Sequence, residues 1–335
     1  MQTLKRLAFA SLASLAGVAQ WVAMTPLAQA QNAAKYPWKP ITMVMPYTPG
    51  STSDHEARVY QDNLPEIFKG MTFLIDYKPG ASGMIANSFV AKQAPDGHTF
   101  AYVPATVAIL PAIRKDIPYD YLKDLTPVIQ TTRRVFVLAV HPSFPASNLK
   151  EYIAHARANP GKVTWSTVGA GGALHMSGEW LASVANIKLT FVHYKGSSAA
   201  ELDLIAGRID SSPKGMVSAL PQMKTGKLRA IGIITNERTP IAPDLRTVEE
   251  EGPAYAGYNY PSWVGIVTTG ATPRDIVDKL YQGLNKAIRL PKAMAVWESQ
   301  GTVPVGLNPD EFRKRLIYEE GVWRKLVKEQ NIVAE

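Results

Sequence analysis

Short apolar segments of strand length alternate with helical segments along most of the chain, and this alternation restricts the fold more than any other feature. The predicted strands cover residues 41–45, 73–76, 99–103, 135–140, 163–166, 190–193, 230–234 and 264–267. The predicted helices cover residues 53–68, 84–92, 149–158, 174–185 and 199–206, and a further helix begins after Pro273. Because alternating strands and helices pack as layers, this pattern predicts an α/β fold with mostly parallel sheets.

The length of the chain and two turn-rich segments predict a division into two lobes. A chain of 335 residues is longer than a single hydrophobic core usually supports. Residues 141–145 and 268–273 are rich in turn formers, and we interpret them as crossings between lobes. Lobe 1 would then contain residues 36–137 and 260–335, and lobe 2 residues 138–259. Two inter-lobe crossings make a hinge, with a ligand cleft at the carboxyl ends of the strands.

The first thirty residues have the pattern of a secretory signal peptide. Lys5 and Arg6 precede an apolar segment that extends from residue 7 to residue 24, and the triplet Ala-Gln-Ala follows at residues 28–30. A membrane anchor is the alternative interpretation, but polar residues interrupt the apolar segment and a cleavage triplet follows it. We therefore expect cleavage before Gln31 and a mature protein outside the cytoplasm.

Composition and charge exclude several classes of protein. The chain has no cysteine, so thiolate catalysis and thiolate metal sites are excluded. The formal net charge is +8, and removal of Lys5 and Arg6 with the signal peptide leaves +6. The basic clusters at residues 313–315 and 324–325 are interpreted as the solvated face of an amphipathic helix. Its buried face would carry Phe312, Leu316, Trp323 and Leu326. No pattern typical of nucleic-acid binding is present.

Three junctions between a predicted strand and a predicted helix contain glycine and small hydroxylated residues. They are residues 46–54 (PYTPGSTSD), 78–83 (KPGASG) and 167–173 (TVGAGGA). Unsatisfied N–H groups at a helix N-terminus can bind an anion. At the first junction, helix capping by Ser51 or Ser53 is the alternative. Recurrence of the pattern in both lobes favours a shared anion-binding cleft, without the spacing required for a nucleoside triphosphate.

Catalytic and metal-binding patterns are missing from the sequence. There is no G-x-S-x-G or H-E-x-x-H motif, and the six histidines are isolated along the chain. His175 follows the third junction, where it either contacts a ligand or stabilises the start of a helix. Ser166 and His175 could imitate a hydrolase pair, but nothing in the sequence orients them. We therefore predict a binding protein without enzymatic activity and without a cofactor.

Several segments resemble the Bug family, the periplasmic receptors of tripartite tricarboxylate transporters. The segments are residues 36–41 (YPWKPI), 46–54, 78–81 (KPGA), 94–99 (APDGHT), 159–162 (NPGK), 194–196 (YKG), 204–207 (LIAG) and 271–273 (ATP). They occur in the family's order over nearly the whole mature chain. The resemblance implies a two-lobe periplasmic-binding-protein fold, a small organic carboxylate as ligand, and membrane components of the transporter as partners. We expect the receptor to be periplasmic and monomeric.

Carried onto this chain, the resemblance implies ligand-binding residues in both lobes. They are Tyr47, Thr48, Gly50, Ser51, Thr52, Asp54, Ala81, Ser82 and Thr106 in lobe 1, and Ser166, Gly171, Gly172, Ala173, His175 and Tyr194 in lobe 2. Ser51, Thr52 and Ser82 occupy positions where the family usually has glycine, so the ligand of any one relative cannot be transferred to this chain.

The expected ligand is a dicarboxylate, either aromatic, such as terephthalate, or aliphatic, such as adipate. Aromatic residues near predicted strand ends favour the aromatic choice: Tyr47, Tyr102, Trp165, Tyr194 and Trp263. Core packing is the alternative role for each of them. Two alternative functions remain open: a receptor that presents the same ligand to a sensor kinase, and a secreted hydrolase or lyase on the same two-lobe plan.

Overall fold

The computed structural model describes residues 35–50, 52–194, 196–260, 262–330 and 332, so the predicted signal peptide and Ser51 lie outside the described residues. The strands are β1 (Ile41–Met45), β2 (Phe73–Tyr77), β3 (Thr99–Pro104), β4 (Leu125–Arg134), β5 (Phe136–Val140), β6 (Thr164–Thr167), β7 (Thr190–His193), β8 (Ser211–Gly215), β9 (Arg229–Ile233), β10 (Trp263–Thr269) and β11 (Thr302–Leu307). The α-helices are α1 (Thr52–Ile67), α2 (Met84–Ala91), α3 (Thr106–Ile113), α4 (Leu149–Ala158), α5 (Ala173–Ala185), α6 (Ser197–Ile205), α7 (Met216–Lys224), α8 (Arg274–Ala287), α9 (Pro291–Ser299) and α10 (Pro309–Gln330).

The strands form two separate sheets, and each sheet is the centre of one lobe. The sheet of lobe 1 has the order β11-β4-β10-β3-β1-β2, and the sheet of lobe 2 has the order β7-β6-β8-β5-β9. The α/β prediction is therefore confirmed, but the prediction of mostly parallel sheets is wrong. β10 is antiparallel to β3 and β4, and β5 is antiparallel to β8 and β9. β5 and β10 each enter a sheet from the other lobe, so they run away from the cleft.

The chain passes from one sheet to the other twice. The sequence analysis placed these crossings after β5 and after β10, whereas each of them comes before that strand. Only Val135 separates β4 from β5, although these strands belong to different sheets. The return to lobe 1 lies between β9 and β10. The turns at 141–145 and 268–273 lead instead into α4 and α8. A tight strand-to-helix turn and an inter-lobe crossing favour the same turn-forming residues, so the sequence does not distinguish them. We therefore propose lobe boundaries near residues 135 and 262, in place of 137 and 260.

Most predicted elements are present within a few residues of their predicted bounds, while three strands and three helices had no prediction. β8 explains why sequence patterns missed some strands. Its sequence, Ser-Ser-Pro-Lys-Gly, has no apolar alternation, yet both serines are buried. The hydroxyl of Ser211 shares a hydrogen bond of 2.9 Å with Tyr152, and Ser166 donates to Ser212 at 2.6 Å. Hydrogen bonding of buried hydroxyl groups therefore replaces hydrophobic burial in this strand.

The last helix, α10, has the amphipathic character predicted for it. Phe312, Leu316, Trp323 and Leu326 are all at most 3% exposed. The Trp323 ring meets the Trp180 ring of α5 edge to face, with 5.2 Å between centroids, so the helix touches lobe 2 as well as lobe 1. Across the described ranges, no helix combines the length and apolar character needed to cross a membrane.

Candidate ligand-binding cleft

A cavity of about 160 Å³ lies between the lobes, at the carboxyl ends of β1, β3 and β4 and the beginnings of β5 and β10. Its lining comes from lobe 1, lobe 2 and the hinge: Tyr47, Ser53, Tyr102, Pro104, Ala105, Thr106, Arg134, Phe136, Ala173, Tyr260, Ser262, Trp263 and Val264. Ligand cavities commonly measure about 300–1,000 Å³, so this one suits a small solute.

The hydroxyl of Thr106 lines this cavity and is not satisfied by the protein. Thr106 begins α3 directly after β3, and its Oγ1 is buried without a hydrogen-bond partner in the described part of the chain. Leaving a buried hydroxyl unpaired costs about 1–3 kcal/mol. An acceptor atom of a bound ligand would remove that cost, so Thr106 carries the clearest unsatisfied donor among the predicted residues.

A charge cluster adjoins the cavity through two lining residues, Tyr102 and Arg134. Glu56 of α1 is 1% exposed, accepts a hydrogen bond of 2.6 Å from the Tyr102 hydroxyl, and pairs with the guanidinium of Arg134. The backbone carbonyl of Arg134 accepts a 2.6 Å hydrogen bond from Ser262, so the two inter-lobe crossings are tied together at this residue. Since a guanidinium has five N–H donors, Arg134 can serve Glu56 and a ligand carboxylate together.

Tyr47 supplies a neutral donor beside this cluster. Burial raises the pKa of Tyr47 to about 12, with Glu56 adding to the effect and Arg134 opposing it. The phenol is therefore protonated at neutral pH. Its ring meets the Tyr102 ring edge to face, with 6.2 Å between centroids.

Asp54, a predicted ligand contact, is instead used inside the first loop. Its carboxylate is 1% exposed and accepts hydrogen bonds from the Gly50 N–H (2.8 Å), Arg58 (3.1 Å) and the Tyr77 hydroxyl (2.6 Å). Although burial alone raises the pKa of Asp54, these donors hold it below the ordinary value. Asp54 also occupies the Gly50 N–H that the sequence analysis assigned to the ligand. Thr48 is exposed and outside the cavity lining, and nothing is described for the side chain of Thr52.

The second loop has an unusual backbone. Gly80, Ala81, Ser82 and Gly83 all have positive φ, with +46° at Ala81 and +51° at Ser82. Non-glycine residues adopt this region at a cost and do so often at ligand-binding loops. The side chains of Ala81 and Ser82 are exposed and do not line the 160 Å³ cavity.

Of the lobe 2 candidates, Ala173 alone appears in the lining of this cavity. His175 is 7% exposed, accepts the Gly171 N–H at Nδ1 (3.0 Å), and faces Glu179 through Nε2 at 3.3 Å. It therefore fixes the loop before α5, whose N-cap is Gly172.

The two remaining lobe 2 candidates also bond inside their own lobe. Ser166 donates to Ser212, and Tyr194 donates to Asp203 at 2.9 Å. These side chains are engaged by neighbours that sequence spacing does not reveal.

The sequence analysis missed eight residues of the lining: Ser53, Pro104, Ala105, Arg134, Phe136, Tyr260, Ser262 and Val264. The one available signal was the basic pair 133–134 between two apolar strands. Of the five aromatic residues proposed for the cleft, Tyr47, Tyr102 and Trp263 line the cavity, whereas Trp165 is core and Tyr194 lies elsewhere. Within the described ranges, no group of three or more His, Asp or Glu side chains could hold a metal ion.

Comparison with known proteins places the chain in a family. Residues 56–332 match the family model described as tripartite tricarboxylate transporter family receptor. The chain is 30% identical to a UPF0065 protein encoded in the tcbD–tcbE intergenic region of Pseudomonas sp. strain P51, over 96% of this chain and 94% of that protein. It is 28% identical to BugT of Bordetella pertussis, over 94% of this chain and 96% of BugT.

Solved structures of binding proteins share the fold. An R. palustris protein with adipate is 29% identical, with a TM-score of 0.74, over 90% of this chain and all of that chain. The periplasmic binding protein BugD is 26% identical, with a TM-score of 0.72 and the same coverage. MatC from Rhodopseudomonas palustris with bound malate is 26% identical, with a TM-score of 0.68, over 87% of this chain and all of MatC. The chain therefore belongs to the solute-binding receptors of the tripartite tricarboxylate transporter family.

Proposed function

We propose that this receptor captures a small dicarboxylate in the interlobe cavity and presents it, in the periplasm, to the membrane components of a tripartite tricarboxylate transporter. The observation that carries the proposal is the unpartnered Thr106 hydroxyl, which lies in a small cavity beside the Arg134 guanidinium. Adipate and malate, which accompany two similar proteins, are both dicarboxylates. The proposal includes export with cleavage of the signal peptide before Gln31, so N-terminal sequencing of the periplasmic protein should begin at Gln31.

The chemistry of the cavity suits a carboxylate end. Thr106 and Tyr47 offer neutral O–H donors, and Arg134 offers charged N–H donors, while a carboxylate is acceptor-only. The N-termini of α1 and α3 also lie at this edge of the sheet, where their dipoles favour a negative charge. Hydrogen bonds to a charged group are worth about 1.5–3 kcal/mol each, so two or three of them contribute about 3–9 kcal/mol, and only the upper end of that range reaches micromolar affinity.

The aromatic lining supports the choice of an aromatic ligand such as terephthalate. Tyr47, Tyr102, Phe136, Tyr260 and Trp263 all border the cavity, and the Phe136 and Tyr260 rings are 4.4 Å apart at their centroids. Because these two rings already pack on each other, a flat ligand ring would contact the aromatic side chains from the cavity side, whereas an aliphatic chain would gain only its hydrophobic burial. The small volume of the cavity limits aromatic and aliphatic ligands alike, so it does not favour either type.

The test is a calorimetric titration of the mature protein with adipate, malate and terephthalate, with hexanoate and benzoate as monocarboxylate controls. We expect saturable binding of at least one dicarboxylate and weaker binding of its monocarboxylate control. The same incubations, analysed by chromatography, should leave the ligand chemically unchanged. Absence of binding to all five compounds would refute the proposed function, and turnover would favour the hydrolase alternative.

The first loop has a separate test. Ser51 and Thr52 are the two hydroxylated residues that follow Gly50 in the sequence, and their replacement by Ala should weaken dicarboxylate binding about tenfold if both hydroxyls contact the ligand. Unchanged affinity in the double variant would show that any contribution from this loop comes from its backbone.

A further inference from the structure

A second cavity, of about 570 Å³, adjoins the first. The two cavities share three lining residues, Arg134, Phe136 and Tyr260. The second cavity is otherwise bounded in lobe 2 by the end of β8 and the beginnings of α6 and α7. In lobe 1 it is bounded by residues 299–301, between α9 and β11. The cleft between the lobes therefore extends well beyond the compartment that contains Thr106.

The wall of this second cavity contains a buried lysine. Lys214 lies next to the last residue of β8 and is 6% exposed, and its Nζ bonds to the carboxylate of Glu201 in α6. Lysine is rarely buried unless it is paired, because removing its charge from water is costly. Since an ammonium group has three donors, Glu201 does not exhaust the capacity of Lys214 to bind an anion.

Two further features point to an anion at the same place. The first residues of α6 and of α7 line the cavity, so the positive ends of two helix dipoles face it. On the lobe 1 side, the side-chain amide of Gln300 lines the cavity, and its Oε1 is buried with no hydrogen-bond partner in the described part of the protein. A half-turn of that amide would place its two N–H donors where the oxygen lies.

We propose that Lys214 forms an anion subsite that receives the far carboxylate of a dicarboxylate whose near carboxylate lies beside Thr106 and Arg134. This inference rests on the proposed function and specifies its ligand class: linear dicarboxylates long enough to reach from one compartment into the other. Monocarboxylates fill the near compartment alone and leave the Lys214–Glu201 pair undisturbed. Arrival of a second carboxylate makes the ammonium bond to two anions, so Glu201 competes with the ligand.

The two partners of this pair therefore have opposite predicted effects. Lys214→Met keeps the length of the side chain and removes its charge, and it should lower dicarboxylate affinity about tenfold or more. Glu201→Gln keeps an acceptor for Lys214 but removes the competing charge, and it should raise dicarboxylate affinity severalfold. Neither change should alter hexanoate binding. A purely structural pair would instead weaken all ligands in both variants.

The experiment measures binding of adipate, of its longer homologues pimelate and suberate, and of hexanoate. It compares the wild type, both variants and Lys224→Met by calorimetry. Lys224 is exposed at the end of α7 and outside both cavity linings, so its replacement controls for the change in net charge. The wild type should prefer the diacids over hexanoate. Lys214→Met should lose that preference, and Lys224→Met should retain it.

The possible failures are distinguishable. If the wild type binds no carboxylate, the proposed function itself is wrong. If it binds diacids and Lys214→Met retains the full preference for them over hexanoate, the subsite is wrong while the proposed function stands. If Lys214→Met does not fold, Glu201→Gln decides: a higher ratio of diacid to hexanoate affinity supports the subsite, and an unchanged or lower ratio overturns it.

Discussion

Replacing Thr106 by Val should stabilise the free protein and weaken the complex. The hydroxyl is buried in the interlobe cavity without a partner among the described residues. Its removal therefore relieves a desolvation cost of about 1 kcal/mol or more in the unliganded state. For a mature chain of this size, that gain corresponds to a rise in melting temperature of about 2 °C. In the complex, the same change removes a hydrogen bond to a carboxylate, worth about 1.5–3 kcal/mol, so affinity should fall at least tenfold.

Two threonines of lobe 1 provide matched controls. Thr132 is 1% exposed, and its Oγ1 likewise has no partner within the described ranges, but it is not part of the cavity lining. Thr132→Val should therefore stabilise the protein by a similar amount without changing affinity. Thr269 is 4% exposed and donates to the Val90 carbonyl at 3.0 Å, so Thr269→Val should destabilise the protein by about 1 kcal/mol.

The assay is thermal unfolding of the unliganded variants, followed by calorimetric titration with a dicarboxylate that binds the wild type. Thr106→Val should resemble Thr132→Val in stability and differ from it in affinity. If Thr106→Val leaves the affinity unchanged, the hydroxyl does not contact the ligand. If it lowers the melting temperature as Thr269→Val does, the hydroxyl already has a partner in solution, and the reasoning from an unsatisfied donor is refuted.

Three further predictions follow from other parts of the structure. Gly178→Ala in α5 should destabilise the protein by about 1–2 kcal/mol, because the new Cβ would lie 2.5 Å from the Phe191 ring. Gly321→Ala in α10 has open space around it and should stabilise the protein by up to about 1 kcal/mol. Chemical denaturation measures both free energies of unfolding, and equal effects would contradict the packing argument. Arg238, aided by a backbone N–H, holds the pKa of Glu250 at about 2, below its ordinary 4.5. Stability from this group is therefore present above about pH 4.5 and lost as pH falls towards 2, so Glu250→Gln should flatten the melting-temperature profile in that window, and parallel profiles would exclude the effect. Closure of the two lobes on a dicarboxylate should reduce the radius of gyration in small-angle scattering, and identical curves for free and saturated protein would rule closure out.

The site shows where reasoning from the sequence stops. The sequence analysis placed ligand residues at strand ends, and Tyr47, Thr106 and Ala173 do line the cavity. Asp54 and His175 were placed by the same argument, but each accepts a hydrogen bond from a backbone N–H group of its own loop. A strand end tells which residues come near a cleft, because parallel strands finish at one edge. It does not tell which polar groups are already hydrogen-bonded.

The sequence by itself determined the α/β class, the amphipathic α10 and the family, since these follow from periodicity and from motifs that are local in the chain. The tertiary structure alone decided the charge arrangement of the cleft. Glu56 and Arg134 are 78 residues apart, and they pair only when β4 and α1 are brought together, which places the Arg134 guanidinium at the cavity. Lys214 stands in a strand with no apolar pattern, and its buried ammonium group is paired with Glu201 of a neighbouring helix. Contacts between distant residues depend on packing geometry, which no local pattern encodes.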